Sequence, residues 1–377
     1  MTRGAQHAET ERSPGLWAAR AGVAERAVRR RHLRRLWALP GTRLGVTAWP
    51  ARLADRLHTR WHYWWQAHLI DCVVDAQERA PAAERAELLA QLVRGVHLRN
   101  FRNWTNDYYD DIAWLGLALH RARDVVDARP ALAAITAQLR EGWTDHGGGG
   151  IWWRRKDTFK NVPANGPAAI LLARAGVDRA DGQRARAMTQ WMERSLRDPD
   201  TDLMWDGLYV DADGGVGEIV TVIYTYCQGV HLGACVEMAE QDPGGPWAEL
   251  AARTVRAVRD HLAPGGVLRG HGGHDGGLFT GILTRYLADA AIRLPAAAGE
   301  ATAAGEAAAR LVLDSAEALW RNRAAVPGGP LFGPESAVPA VVPRRGSPPE
   351  RDLSVQLSGW MALEAAARLE GRASMAR

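Results

Sequence analysis

The chain of 377 residues is predicted to be all-α, an (α/α)6 barrel in which six helical hairpins close into a toroid. Three observations carry this. Ala-, Leu- and Arg-rich stretches with 3.6-residue apolar periodicity dominate, while alternating Val/Ile-rich strands are scarce. The helical segments are of two kinds that alternate along the chain. One kind opens with aromatic and polar residues ("WHYWWQAH", "NDYYDDIAW", "KNVPANGP", "VIYTYCQG", "GGLFTGILTRY", "LSVQLSGW"), and the other, such as "AAERAELLAQLVRGV", shows a plain amphipathic stripe. The rich kind starts near 62, 108, 163, 222, 278 and 353, a loose repeat of hairpins. Rich helices buried all round belong inside, with their first turns lining one end of the barrel. An open α-solenoid is the competitor, but it needs no polar and aromatic residues concentrated at alternate helix starts.

Element by element, residues 1–13 are expected to be a disordered tail ahead of a single domain over 14–377. A first helix over 15–37 contains "RAVRRRHLRRLW", with Val28, Leu33, Leu36 and Trp37 as its apolar side, so it is expected to lie outside with a solvated Arg face. Helices follow at 62–79, 83–97, 108–126, 130–143, 163–175, 182–197, 219–240, 246–262, 278–293, 299–323 and 352–369. Gly- and Pro-bearing connectors part them: "HGGGG" at 146–150, "DADGGVG" at 211–217, "APGGVLRGHGGHDGG" at 263–277 and "VPGGPLFGP" at 326–334. "VVPRRGSPPERD" reads as a tethered loop.

Composition removes several functional classes. The net charge of +4 hides an uneven distribution: residues 1–60 carry 13 Arg against 4 acids, and the rest is net acidic. Nucleic acid is therefore a poor partner for the body of the protein. No run of 18 apolar residues spans a membrane. The polar start lacks the apolar segment of a secretory signal, so a cytoplasmic location is expected. Cys72, Cys227 and Cys235 lie in helix-like apolar segments and read as small buried hydrophobes in a reducing compartment. The 16 Trp against 4 Phe are more telling. A flat indole with an N–H donor suits ligands of alternating apolar and hydroxyl surface, such as sugars.

Chemistry centres on "NDYYDDIAWLGLAL" at 106–119. Thr105, Asn106 and Asp107 are N-cap types and apolar periodicity begins at Ile112, so Asp110 and Asp111 fall in the first helical turn. Acids there favour the helix dipole, and the dipeptide alone implies nothing more. The surroundings do. Tyr108, Tyr109 and Trp114 flank the pair, and other helix starts bring Trp64, Trp65, Trp152, Trp153, Tyr224 and Tyr226 to the same end. Two carboxylates in an aromatic cup can cleave a glycosidic bond, one attacking or stabilising the anomeric carbon while the other protonates the leaving oxygen. Mutual repulsion keeps a proton on one of them. Neighbouring residues cannot span the wide separation that inversion requires while serving one bond, so retention is favoured. Gln66, Tyr109, Asn161, Asn165 and Gln228, at the rich helix starts, are expected to meet substrate with Trp65, Trp153 and Tyr226.

"WHYWWQAHLIDCVVDA", "YYDDIAWLGLAL", "GGGGIWWRRKDTFKNVPANGPAAILLARAG", "YTYCQGVHLGACVEM", "GLFTGILTRYLADAA" and "DLSVQLSGWMALEAAARLE" resemble, in order, the motifs of glycoside hydrolase family 76. The resemblance spans residues 61–369 and implies a retaining endo-α-1,6-mannanase on an (α/α)6 barrel. It also implies that Asp110 is the nucleophile, Asp111 the acid/base, and Asp275 a rim residue that hydrogen-bonds a mannose hydroxyl.

His271, His274 and Asp275 lack a further ligand at suitable spacing, so no metal is expected, and no cofactor either. "HGGGGIWW" has neither the preceding strand nor the Lys-Ser/Thr of a phosphate loop, and reads as the turn that lets Trp152 and Trp153 reach the cleft. Lys160, one of two lysines beside 45 arginines, suggests a specific contact. His68 fits either a cavity group or a satisfied buried histidine. A cytoplasmic sugar isomerase or epimerase of the same barrel class would want histidines on several inner helices, where only His68 and His231 lie. A metal-dependent isoprenoid enzyme would want a third acid where Trp114 stands. A non-catalytic sugar-binding toroid stays open. The expected protein is a monomer acting on a carbohydrate chain.

Overall fold

The computed structural model describes residues 15–176, 179–294, 300–343 and 346–375; the expected 1–13 tail lies outside the described residues. Among the described residues twelve long helices, here α1 to α12, run over Leu16–His32, Tyr63–Arg79, Ala83–Arg99, Tyr109–Ala122, Arg129–Glu141, Val162–Ala175, Arg179–Leu196, Thr225–Gln241, Trp247–Leu262, Gly276–Arg293, Glu300–Asn322 and Leu353–Met375. Even-numbered helices form an inner ring in which α2 packs on α4, α4 on α6, α6 on α8, α8 on α10, α10 on α12, and α12 back on α2. That last contact closes the barrel and excludes a solenoid. Each odd helix covers an inner one, and α1, first in the chain, covers α12, the last. No helix among the described residues is long and apolar enough to cross a membrane.

Side-chain size explains the tight inner seams. A Cβ on Gly229 of α8 would stand 2.9 Å from the Leu283 Cα of α10, and one on Gly281 would stand 2.6 Å from the Ser358 Cα of α12. Only glycine lets these backbones approach so closely. Inner-helix residues such as Leu69, Ile112, Ile170, Leu283 and Leu357 are fully buried.

Two expectations need correction. The first helix ends at His32, not at 37, because Leu33–Arg34 pairs antiparallel with Leu44–Gly45 and Trp37 and Ala38 take positive φ. Trp37 is consequently half-exposed rather than part of an apolar stripe. The segment over 219–224 is not helical. Its start belongs to a three-stranded antiparallel sheet, Phe159–Asn161, Gly207–Val210 and Val216–Val220, which stands over the mouth of the barrel. Short strands at loop tips lack the alternation that would betray them in sequence.

Candidate active site

The connectors from each outer helix to the next inner helix lie at one end of the barrel, together with the inner N-termini. There they surround a cavity of about 610 Å³. Asp110 and Asp111 sit at its floor, in the first turn of α4. The helix starts as it does because Asn106 folds the preceding turn: its Oδ1 accepts the Tyr108 N–H at 2.9 Å. The same amide donates from Nδ2 to Asp111 Oδ2 at 2.6 Å. Tyr108, not Thr105, Asn106 or Asp107, is the N-cap. Asp110 is held from two sides, accepting the Asp111 N–H at 2.9 Å on Oδ1 and Trp153 Nε1–H at 3.1 Å on Oδ2.

Two aromatic walls face each other across the pair. Tyr108, Trp153, Phe159 and Tyr209 form one, with Tyr108 edge-on to Trp153 at 5.2 Å and Phe159 against Tyr209 at 4.8 Å. Trp64, Tyr224, Tyr226 and Phe279 form the other, where Tyr226 and Phe279 stack at 3.9 Å. Such a slot suits a flat, amphipathic ring. Asp275 tops the second wall and accepts from both Trp64 Nε1 at 3.0 Å and Trp65 Nε1 at 2.8 Å. It thereby ties α2 to the start of α10.

Electrostatics separate the two acids. Burial raises the Asp110 carboxyl, and the N–H groups of Asp111 and Trp153 pull part of that rise back. Asp111 is pushed well above the ordinary carboxylate range by burial and then by the charge of Asp110. One ionised and one protonated carboxyl at neutral pH is the division that acid–base cleavage needs. A third acid, Asp206, lines the cavity, and burial followed by repulsion from Asp110 pushes it up to about 7.

Residues 34–326, the greater part of the chain, match the model of glycosyl hydrolase family 76. The chain belongs to this family. Among solved structures, the GH76A α-1,6-mannanase of Salegentibacter sp. HEL1_6 superposes with a TM-score of 0.81 at 29% identity, over 93% of this chain and 99% of that one. An inactive variant of that enzyme, with two consecutive aspartates changed to asparagine, is bound to α-1,6-mannotriose; it superposes with a TM-score of 0.80 at 28% identity, covering 93% and 99%. A Listeria innocua protein reaches 0.80 at 26% identity, covering 94% and 98%. No curated protein matches by sequence. The family 76 chain is thus a glycoside hydrolase on an (α/α)6 barrel.

Within this hydrolase, Asp110, Asp111, Trp153, Asn161, Tyr226 and Asp275 line the cavity together. Trp65, Gln66, Tyr109, Asn165 and Gln228 do not; all five are buried behind the lining. The amides share one job. Gln66 grips the N–H and C=O of Gly45, Asn165 those of Ile151, and Gln228 those of Met204. Gln356 does the same to Phe332. Each amide is the fourth residue of an inner helix and fastens the connector that led into it. Tyr109 packs on Gly142, where an added Cβ would meet its ring at 2.5 Å. His68 is buried against Trp114, below the floor.

Sequence reasoning missed Asp206, Tyr209 and Phe279. Asp206 sits in "MWDGLY", next to a strand that periodicity did not show, so nothing local pointed inward. The histidines considered for metal are placed apart: His271 Nε2 accepts the Thr225 N–H at the start of α8, and His274 is exposed. Another grouping, Glu193, His231 and Cys235, is compact, but Arg197 and Arg253 already neutralise the glutamate.

Proposed function

We propose that this family 76 hydrolase cleaves α-1,6-mannosidic bonds in mannan or manno-oligosaccharides with retention, using Asp110 as nucleophile and Asp111 as acid/base. The observation that carries the reading is the unlike treatment of two adjacent carboxyls. Asp110 accepts two N–H donors, while Asp111 is crowded by Asp110's charge at the floor of a slot with aromatic walls. Supporting it, the Salegentibacter variant lacking two consecutive aspartates is inactive and holds α-1,6-mannotriose.

In the first step Asp110 attacks the anomeric carbon and the glycosidic C–O bond breaks. Asp111 gives its proton to the departing oxygen. A glycosyl ester on Asp110 results, and Asp111 is left ionised. In the second step Asp111 takes a proton from water, the water oxygen bonds to the same carbon from the opposite face, and Asp110 leaves as carboxylate. Two inversions give net retention. Trp153, facing Tyr226 and Phe279 across the slot, supplies stacking surface, and Asn161 and Asp275 offer hydrogen-bonding groups to sugar hydroxyls.

Mutagenesis with leaving-group variation tests the assignment. Asp110→Asn should abolish turnover of every α-mannoside. Asp111→Asn should still react with activated aryl mannosides, accumulate glycosyl-enzyme, and be rescued by azide to give the retained α-azide. A retained α-azide from Asp110→Asn, with an inverted β-azide from Asp111→Asn, would reverse the roles. Near-normal activity in both variants would make the pair structural and end the reading.

A further inference from the structure

The Gly-rich loop at 146–150 surrounds a positive charge. Lys160, the middle residue of the edge strand Phe159–Asn161, is fully buried, and its three N–H donors are shared among five oxygens. These are Thr144 O at 3.0 Å, Thr144 Oγ1 at 2.9 Å, His146 O at 2.7 Å, Gly149 O at 2.7 Å and Gly150 O at 2.9 Å. The Trp152 ring lies 4.4 Å from the ammonium. Among the described residues no carboxylate forms an ion pair with it, and Asp145 acts on it only through space. Gly147 to Gly150 all have positive φ, so the loop turns its carbonyls inward in a conformation that side chains resist. The two carbonyls that point elsewhere, of Gly147 and Gly148, are taken by Trp191 and Arg194 of α7. The loop leads within three residues to Trp153, which donates its N–H to Asp110. Trp153 is itself docked through its carbonyl on the Tyr109 N–H, one residue before Asp110, and through its own N–H on Phe159 O, next to Lys160.

We infer that loop 146–150 is a carbonyl cradle for one monovalent cation, filled by the Lys160 ammonium, and that Lys160 is a positioning residue acting through Trp153 on Asp110. The chemistry is that of an alkali-metal or ammonium site: neutral oxygens only, at hydrogen-bonding distance, around a single charge. Without the cation, Thr144 O and Gly149 O would lose their donor, and His146 O and Gly150 O would keep only the N–H groups of Gly149 and Thr144 at 3.3 Å, an arrangement costly to hold in a buried loop. The loop would then open and withdraw Trp153 from Asp110. The inference rests on Asp110 being the nucleophile, which Asp110→Asn tests by itself without any Lys160 variant.

The test compares Lys160→Met, which keeps the stem without charge, with Lys160→Ala, which leaves the cradle empty. Both should lower kcat/KM, by roughly a hundredfold if Trp153 shifts by an ångström. Both should move the acid limb of the kcat/KM profile to higher pH, because the carboxylate loses a donor. Ammonium or potassium chloride should restore Lys160→Ala, and should not restore Lys160→Met, whose side chain occupies the path. Sodium chloride at equal ionic strength serves as control. Three results overturn the inference: folded variants with an unmoved acid limb, a folded Lys160→Ala restored by none of these cations, or one restored equally by sodium. Should neither variant fold, Thr144→Val, which removes a single acceptor, must still move the acid limb upward; an unmoved limb there overturns the inference as well.

Discussion

Asp110 and Asp111 are destabilised in order to work, and their proton affinities make that measurable. Burial raises Asp110 from 3.8 to about 6. The folded state therefore holds this proton more tightly than the unfolded chain does. Its contribution to stability is fully present below pH 3.8 and is lost as pH rises through the folded value. Asp110→Asn should accordingly be more stable than the wild type at pH 7.5, by about 1–2 kcal/mol in denaturant titrations. The gain should vanish at pH 3.5. Equal stability of the two proteins at both pH values would mean that the carboxyl is not strained. The pair itself was legible in the sequence, because two acids stood where the apolar pattern began. Its control was not. Asn106 looked like a helix cap, and only the structure shows it donating to Asp111. Tryptophan divides likewise. Trp64, Trp114 and Trp153 line the cavity as the sugar reading expected, whereas Trp65, Trp191, Trp247 and Trp360 are buried outright and spend their N–H groups on partners within the fold.

At the scale of single elements, the amide at the fourth position of α2, α6, α8 and α12 is the recurring device. Gln66, Asn165, Gln228 and Gln356 each satisfy both polar groups of one connector residue and a further carbonyl near their own helix start. Periodicity placed these helix starts within a few residues. It could not tell an amide facing the cavity from one facing back into the wall, since both uses need the same polar side chain on the same turn. Gln228→Leu separates them. Removing it strands the Met204 N–H and C=O and the Tyr224 C=O. The expected cost is about 2–4 kcal/mol of folding stability, with KM little changed once the protein is folded. A raised KM at unchanged melting temperature would return Gln228 to the substrate. The missed sheet has a similar physical origin. Its strands are three to five residues long and held by connector backbone, so no side-chain alternation announces them.

Across the whole molecule, the two ends of the barrel treat charge in opposite ways. At the mouth, none of the cavity-lining carboxyls Asp110, Asp111, Asp206 and Asp275 forms an ion pair among the described residues. At the other end, Arg285 pairs with Asp71 and Asp75, Arg174 with Glu237, and Arg368 with Asp289. Burial alone would raise Asp71, but Arg285 and Arg121 outweigh it and hold the carboxyl below its ordinary range. The sign is the reverse of that at Asp110: this stability is present above pH 3.8 and is lost as pH falls. Arg285→Met should therefore cost about 3–5 kcal/mol at pH 7, by leaving Asp71 and Asp75 buried and less compensated, and much less near pH 3. Thermal melts at both pH values check it, and an equal loss at each would contradict the ion-pair account. The six-fold alternation was visible in sequence because burying a helix all round leaves a compositional mark, while these paired charges looked like any solvated helix face. The central claim, however, concerns the mouth. The direct measurement is time-resolved proton NMR of the wild-type enzyme acting on α-1,6-mannotetraose. The account predicts new reducing ends that appear first as the α anomer and drift to equilibrium by mutarotation. A β anomer appearing first, or no new reducing end at all, would contradict it.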